Sequence, residues 1–146
     1  MPYPKPIKPS LAQQGALLRA VQPDSEVQYQ MGGKRLVWRG HLQPTPVSQR
    51  YRIRIEMDRS TRRSPRVYVE EPQLQTRQGE QIPHLYSQQK KQLCLWQPKY
   101  QEWSRRMWIA HSILLWASAW LFFYEVWYAT GEWLGGGEHP STESNG

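Results

Sequence analysis

The sequence predicts an α+β fold in which an antiparallel sheet is flanked by two helices. Three observations support it: a short capped helix near the N-terminus, three strand-like stretches in the middle, and a long apolar stretch with helical periodicity near the C-terminus. The 146 residues suffice for one domain with a buried core. We expect an extended Pro-rich lead over 1–9, one domain over 10–137 and a disordered tail over 138–146.

The first predicted helix spans 10–21. Ser10 is a favourable N-cap, because its side-chain oxygen can accept a hydrogen bond from a backbone N–H in the first turn. Pro23 stops the helix, because its ring prevents helical continuation. Four apolar residues can share one face of this helix: Leu11, Leu17, Leu18 and Val21.

Three strands are predicted at 36–42, 51–57 and 66–70. The stretch 51–57 has the clearest pattern, with apolar residues at odd positions and charged residues at even positions. Because the connections between the strands are short, we expect them to form an antiparallel meander.

No regular element is predicted for 73–100, a stretch that contains His84 and Cys94. Loops longer than about 12–15 residues inside a compact domain are uncommon and often functional. Cys94 is the only cysteine, so it cannot form an intrachain disulfide. Its remaining roles are a buried apolar residue or a reactive thiol.

The last predicted element is a Trp-rich helix over 103–129. Its apolar part, 107–129, is long enough to cross a bilayer, for which about 20 residues suffice. His111, Ser118 and Glu125 recur every seven residues, however, and form a polar stripe. Because charged groups are unfavourable in lipid, the stripe favours a helix packed on the sheet, with a single-pass membrane protein as the alternative.

The net charge of +7 is concentrated in one cluster. Seven arginines fall between 50 and 66: Arg50, Arg52, Arg54, Arg59, Arg62, Arg63 and Arg66. Such a cluster can bind phosphates or an acidic protein surface, but no nucleic-acid-binding motif accompanies it. We therefore favour a solvated strand face. The four histidines show no metal-ligand spacing and no phosphate-binding glycine loop is present, so neither a metal nor a cofactor is expected.

The order of these elements resembles the ubiquitin-conjugating enzyme fold. In that family a His-Pro-Asn motif precedes the active cysteine, and here His84-Leu85-Tyr86 stands in the place of the motif. His84 is ten residues before Cys94, Leu95 follows the cysteine, and Trp103-Ser104 stands nine residues beyond it, as the family's tryptophan does at about eight. The strand that begins at Pro65 is similar to the family's proline-led strand.

The Trp-rich C-terminal helix suggests one branch of that family. It is similar to the small bacterial ubiquitin-conjugating-like proteins of CBASS antiphage operons, of the stand-alone type without an adenylating domain. The resemblance implies a cGAS-like nucleotidyltransferase as partner, whose C-terminus is the cargo, and an amine of a target protein as acceptor. One cysteine and a start unlike a signal peptide suggest the reducing bacterial cytoplasm.

The resemblance also implies roles for three residues. Cys94 is the nucleophile that forms a thioester, and His84 structures the loop. Tyr86, in place of the motif asparagine, is the candidate donor to the oxyanion, a role that backbone amides near Cys94 could also fill. Because the asparagine is replaced, a catalytically inactive adaptor of the same fold is the second hypothesis.

Overall fold

Six strands form one antiparallel sheet in the order β1-β2-β3-β4-β6-β5 in the computed structural model, which describes residues 8–60, 65–95 and 103–135. The strands are β1 (Glu26–Gln30), β2 (Arg35–Leu42), β3 (Tyr51–Asp58), β4 (Arg66–Glu71), β5 (Leu85–Ser87) and β6 (Gln92–Leu93). Helix α1 (Leu11–Val21) precedes the sheet, and a 3₁₀ helix (Ile109–His111) and helix α2 (Ile113–Thr130) follow it. The predicted α+β fold is confirmed.

Side-chain alternation gives the sheet an inner and an outer face. In β3 the residues Tyr51, Ile53, Ile55 and Met57 are buried, while the charged residues between them are partly exposed. Ile53 pairs with Val69 of β4 and Ile55 with Val67, so buried residues of adjacent strands lie side by side. The inner face joins both helices in one hydrophobic core.

Helix α1 begins with a capping box, as its sequence predicts for the N-cap. The Gln13 N–H donates to Ser10 Oγ at 3.1 Å, and the Ser10 N–H donates to Gln13 Oε1 at 2.8 Å. The predicted apolar face is wrong at Val21, which is 48% exposed, because Leu11, Gln14 and Leu18 form the buried stripe instead. The Gln14 amide reaches across to the chain before α2, donating to the Met107 carbonyl and accepting from the Ile109 N–H, each at 2.9 Å.

The C-terminal helix begins ten residues later than predicted. The backbone of Trp108 is extended (φ −87°, ψ 128°), which interrupts helical hydrogen bonding. Ser112 holds this segment, since its hydroxyl donates to the Trp108 carbonyl at 2.7 Å and accepts from the Trp103 indole at 3.1 Å. Gly131 ends α2 in the left-handed conformation (φ 85°).

Helix α2 packs one side into the core. Its buried residues recur at helical spacing: Ile113, Leu114, Ala117, Trp120, Leu121, Tyr124 and Trp127. Within the described residues, Ile109–Thr130 is the stretch long and apolar enough to span a bilayer, with a mean hydropathy of 1.3. Half of it is buried inside the domain. This burial supports packing on the sheet, the arrangement that the sequence favours over a membrane span.

Three strands were not predicted from the sequence. β1 is an edge strand in which Val27 and Tyr29 alternate with Glu26, Gln28 and Gln30, but the pattern holds only two apolar residues, and four of the five positions are exposed. The expectation of an irregular 73–100 is wrong for β5 and β6, which are too short to show a pattern. Positions 1–7 of the predicted lead lie outside the described residues. The whole predicted tail over 138–146 also lies outside them.

Candidate active site

Cys94 directly follows β6 and is 5% exposed. Its N–H donates to the His84 carbonyl at 2.9 Å, and the next pair of residues, Leu85 and Leu93, is in register between β5 and β6. The hairpin therefore brings together two of the residues predicted for the site, although ten positions separate them. Their proximity rests on backbone pairing, which gives Cys94 a fixed place.

His84 connects this hairpin to α2 through its backbone. Its carbonyl accepts a second hydrogen bond, from the Trp120 indole N–H at 2.9 Å. The residue adopts a left-handed backbone conformation (φ 55°) and is 7% exposed. Its ring lies 5.0 Å from the ring of Trp133, with the two planes tilted by 36°. His84 therefore links Cys94 to helix α2 and to the segment that follows this helix.

Tyr86 lies on the same hairpin, and its side chain is half-exposed. Its hydroxyl interacts with the Cys94 side chain. Burial of the ring, followed by hydrogen bonding to Cys94 and the charge of a Cys94 thiolate, raises the pKa of Tyr86 above its usual range. The hydroxyl consequently keeps its proton at physiological pH and can donate toward the sulfur. All three predicted site residues thus lie at one end of the β5–β6 hairpin.

An aromatic cluster behind the hairpin was not assigned to the site from the sequence. The Trp133 ring contacts the His84 ring, and its centroid lies 5.3 Å from that of the Trp120 ring, in an edge-to-face arrangement. The chain reaches this position because Gly131 reverses direction after α2, its N–H bonding to the Trp127 carbonyl at 2.7 Å. Glycine just beyond a helix followed by a large apolar residue is a recognisable signal for such a return. Trp120 is also part of the hydrophobic core, where it is 3% exposed.

Three arginines of the predicted cluster, Arg52, Arg54 and Arg66, lie on the outer face of the sheet, where they are paired with carboxylates. Eight side chains of β2, β3 and β4 form this outer-face network: Arg35, Arg39, Arg52, Arg54, Arg66, Glu56, Asp58 and Glu70. Its shortest pair joins Arg35 Nε and Asp58 Oδ1 at 2.6 Å. Arg62 and Arg63 lie outside the described residues.

No metal site is found among the residues that the structure describes, where no three of His, Cys, Asp and Glu come together as ligands. The Cys94 site is instead a thiol beside a hydroxyl donor, on a hairpin that an aromatic cluster supports. This set of groups suits nucleophilic chemistry at the sulfur. The expectation that no cofactor takes part remains a prediction.

Comparison with known proteins identifies the family. The family model described as Type II CBASS E2 protein matches residues 14–140, well over half of the chain. No curated protein matches significantly. The matched residues include the hairpin with His84, Tyr86 and Cys94, together with α2. The resemblance to CBASS conjugating proteins is therefore confirmed, and the chain belongs to the family of Type II CBASS E2 proteins, whose role lies in antiphage defence.

Proposed function

We propose that this protein is a conjugating enzyme in which Cys94 carries the C-terminus of a cGAS-like nucleotidyltransferase as a thioester. It then passes that acyl group to an amine of a target protein in the bacterial cytoplasm. The observation that supports this most directly is the hairpin that holds Cys94, where the Cys94 N–H donates to the His84 carbonyl at 2.9 Å, in a chain of the Type II CBASS E2 family. Tyr86, which stands in the place of the motif asparagine, lies on the same hairpin and interacts with Cys94.

In the first step the Cys94 thiolate attacks the activated carbonyl carbon of the cargo. The carboxyl group must arrive as an acyl adenylate or as a thioester, because a carboxylate does not condense with a thiol unaided. A carbon–sulfur bond forms and the activating group departs with the electron pair. The Tyr86 O–H favours this step, since a donor to the sulfur stabilises the thiolate.

In the second step the target amine attacks the thioester and an oxyanion develops on the carbonyl oxygen. The amine loses a proton, an amide bond forms, and Cys94 leaves as a thiolate. A fixed donor near the oxygen lowers this barrier. Because the Cys94 N–H is already donated to His84, that backbone amide is engaged. We therefore assign the donor role to the Tyr86 hydroxyl.

Incubation with a cGAS-like nucleotidyltransferase whose C-terminus has been converted into a thioester tests the proposal. We expect intact-mass analysis under non-reducing conditions to detect an adduct of the two chains that thiols or hydroxylamine cleave. Cys94→Ala should abolish the adduct, because the chain has no other cysteine. Cys94→Ser should convert it into an oxyester that resists thiols. An adduct that persists in Cys94→Ala would show that the carrier is not this thiol.

The burial of Cys94 favours one alternative, an adaptor that binds the nucleotidyltransferase without conjugating it. At 5% exposure the sulfur offers little surface to an incoming carbonyl. A phage challenge separates the two functions. The enzyme requires that Cys94→Ala loses protection, whereas the adaptor predicts equal protection by the wild-type and Cys94→Ala proteins, provided that both bind the partner.

A further inference from the structure

A cavity of about 250 Å³ lies between the start of β3, the segment that follows β4, and helix α2. Its polar lining consists of three tyrosines, three glutamines and one carboxylate: Tyr51, Tyr124, Tyr128, Gln49, Gln73, Gln75 and Glu125. None of the three residues proposed for conjugation lines it. The cavity is therefore a separate feature of the domain, and the proposed chemistry at Cys94 leaves it unexplained.

The Glu125 carboxylate is held in this cavity by neutral groups. Ser48 Oγ donates to Glu125 Oε1 and Tyr51 Oη donates to Glu125 Oε2, each at 2.7 Å. Burial, followed by the hydrogen bond to Glu125, raises the pKa of Tyr51 well above its usual range, so this donor is uncharged. In the described part of the chain no Lys, Arg or His forms an ion pair with Glu125. A negative charge thus faces the cavity without a cationic partner from those residues.

Aromatic rings complete an environment suited to a cation. The rings of Tyr124 and Tyr128 lie 6.2 Å apart along α2. The Gln75 N–H donates to the Tyr124 hydroxyl at 2.9 Å, which fixes that ring against the cavity. Aromatic faces attract cations, and the attraction increases where water is partly excluded. Tyr128 is half-exposed, so a group can enter from solvent beside it.

The size of the cavity limits its ligand to a single side chain. A volume of 250 Å³ is on the order of eight water molecules, below the roughly 300–1,000 Å³ of pockets for small organic molecules. A planar guanidinium prefers both oxygens of a carboxylate at once, but each Glu125 oxygen already accepts a hydroxyl. A lysine ammonium is a compact charge that needs no such fork.

We infer that this cavity binds the ammonium group of a lysine side chain presented by a partner polypeptide. Glu125 supplies the charge, and Tyr124 and Tyr128 supply the aromatic walls. The bound lysine need not be the acceptor amine, since the site does not involve Cys94. Binding of lysine in this cavity is therefore independent of the proposed conjugation at Cys94.

Titration of the full chain with Nα-acetyl-lysine N-methylamide, followed by amide NMR, tests the inference. We expect saturable shifts at the Gln75 amide and none with the Nε-acetylated analogue, which keeps the aliphatic chain but carries no charge. Glu125→Gln should weaken binding about tenfold or more, because it removes the charge at nearly constant shape. Two controls should bind like the wild type: Glu132→Gln, which neutralises an exposed carboxylate just beyond α2, and Cys94→Ala.

A second variant keeps the test decisive if Glu125→Gln unfolds the domain. Tyr128→Leu removes an aromatic wall at a half-exposed position and should also weaken binding. Equal shifts with lysine and its acetylated analogue would overturn the inference, as would the absence of saturable shifts at Gln75. Tighter binding of the arginine analogue would overturn the assignment to lysine.

Discussion

At the scale of single residues, Tyr86 is the feature that distinguishes this site from the family motif. A tyrosine is longer than the motif asparagine, and its hydroxyl interacts with the Cys94 side chain. Because its raised pKa keeps the hydroxyl protonated, Tyr86 can donate to a thiolate and, in the proposed reaction, to an oxyanion. The substitution therefore retains a donor near the nucleophile.

Tyr86→Phe tests this role without any partner protein. The loss of the hydroxyl removes a hydrogen bond that favours the thiolate, so alkylation of Cys94 should require a higher pH. We expect alkylation by iodoacetamide at pH 7 to be slower by about three- to tenfold, the equivalent of a hydrogen bond worth about 1 kcal/mol. Mass spectrometry of the intact chain measures the rate, since it has a single thiol.

Tyr29→Phe is the matched control, because Tyr29 is 47% exposed against 48% for Tyr86 but lies on the edge strand β1. Its alkylation rate should equal that of the wild type. An unchanged rate-against-pH profile for Tyr86→Phe would contradict a donor role toward the thiolate.

At the scale of secondary-structure elements, the β5–β6 hairpin depends on α2. The hairpin joins the rest of the sheet through one register pair, Tyr68 with Gln92, and a hydrogen bond from the Val69 N–H to the Lys91 carbonyl at 3.3 Å, so its pairing with the sheet is short. The Trp120 indole adds a bond to the His84 carbonyl, which in turn receives the Cys94 N–H. Helix α2 is consequently part of the support of the active-site hairpin as well as of the core.

Trp120→Phe should expose this dependence. It removes the indole donor to His84 and leaves a smaller ring at a site that is 3% exposed. We expect the free energy of unfolding to fall by about 2 kcal/mol and Cys94 to be alkylated faster, because the end of the hairpin loosens. Urea denaturation and the alkylation rate measure the two effects.

Trp116→Phe, a partly buried position on the same helix, provides the comparison and should lower stability by less than about 1 kcal/mol. Equal alkylation rates of Cys94 in the two variants would show that Trp120 does not support the Cys94 site.

The elements that the sequence predicts well are those whose pattern is local. Strand β3 alternates over its whole length, and Ser10 caps α1 within four residues. The hairpin that holds Cys94 has only five strand residues, and its order comes from contacts with Trp120 and Tyr68, which are distant in sequence. The late start of α2 likewise depends on bonds around Ser112. Such nonlocal contacts leave no periodicity to detect.

At the scale of the whole molecule, the outer-face network ties β2, β3 and β4 together by charge. The Arg35 hydrogen bond lowers the pKa of Asp58 below its usual range. Burial alone would raise the pKa of Glu70, but its hydrogen bond to Arg54 and the nearby arginine charges lower it. Carboxylates with depressed pKa values stabilise the fold above their unfolded pKa values of about 4, and the stabilisation is lost as the pH falls through the folded values.

Asp58→Asn should therefore reduce stability at neutral pH but make it less sensitive to acid. We expect the variant to lose about 1 kcal/mol at pH 7, because Arg35 and Arg66 lose the charge they share. The deficit should shrink as the pH falls below about 4, where the wild type protonates the same carboxyl. Urea denaturation from pH 7 to pH 2 measures the free energy of unfolding of the wild type and of the variant.

Asp24→Asn is the control, because it removes a carboxylate that is 72% exposed and 3.7 Å from Arg50. Its stability should follow that of the wild type throughout the pH range. A deficit for Asp58→Asn that stays constant down to pH 2 would mean that packing, and not charge, gives Asp58 its contribution.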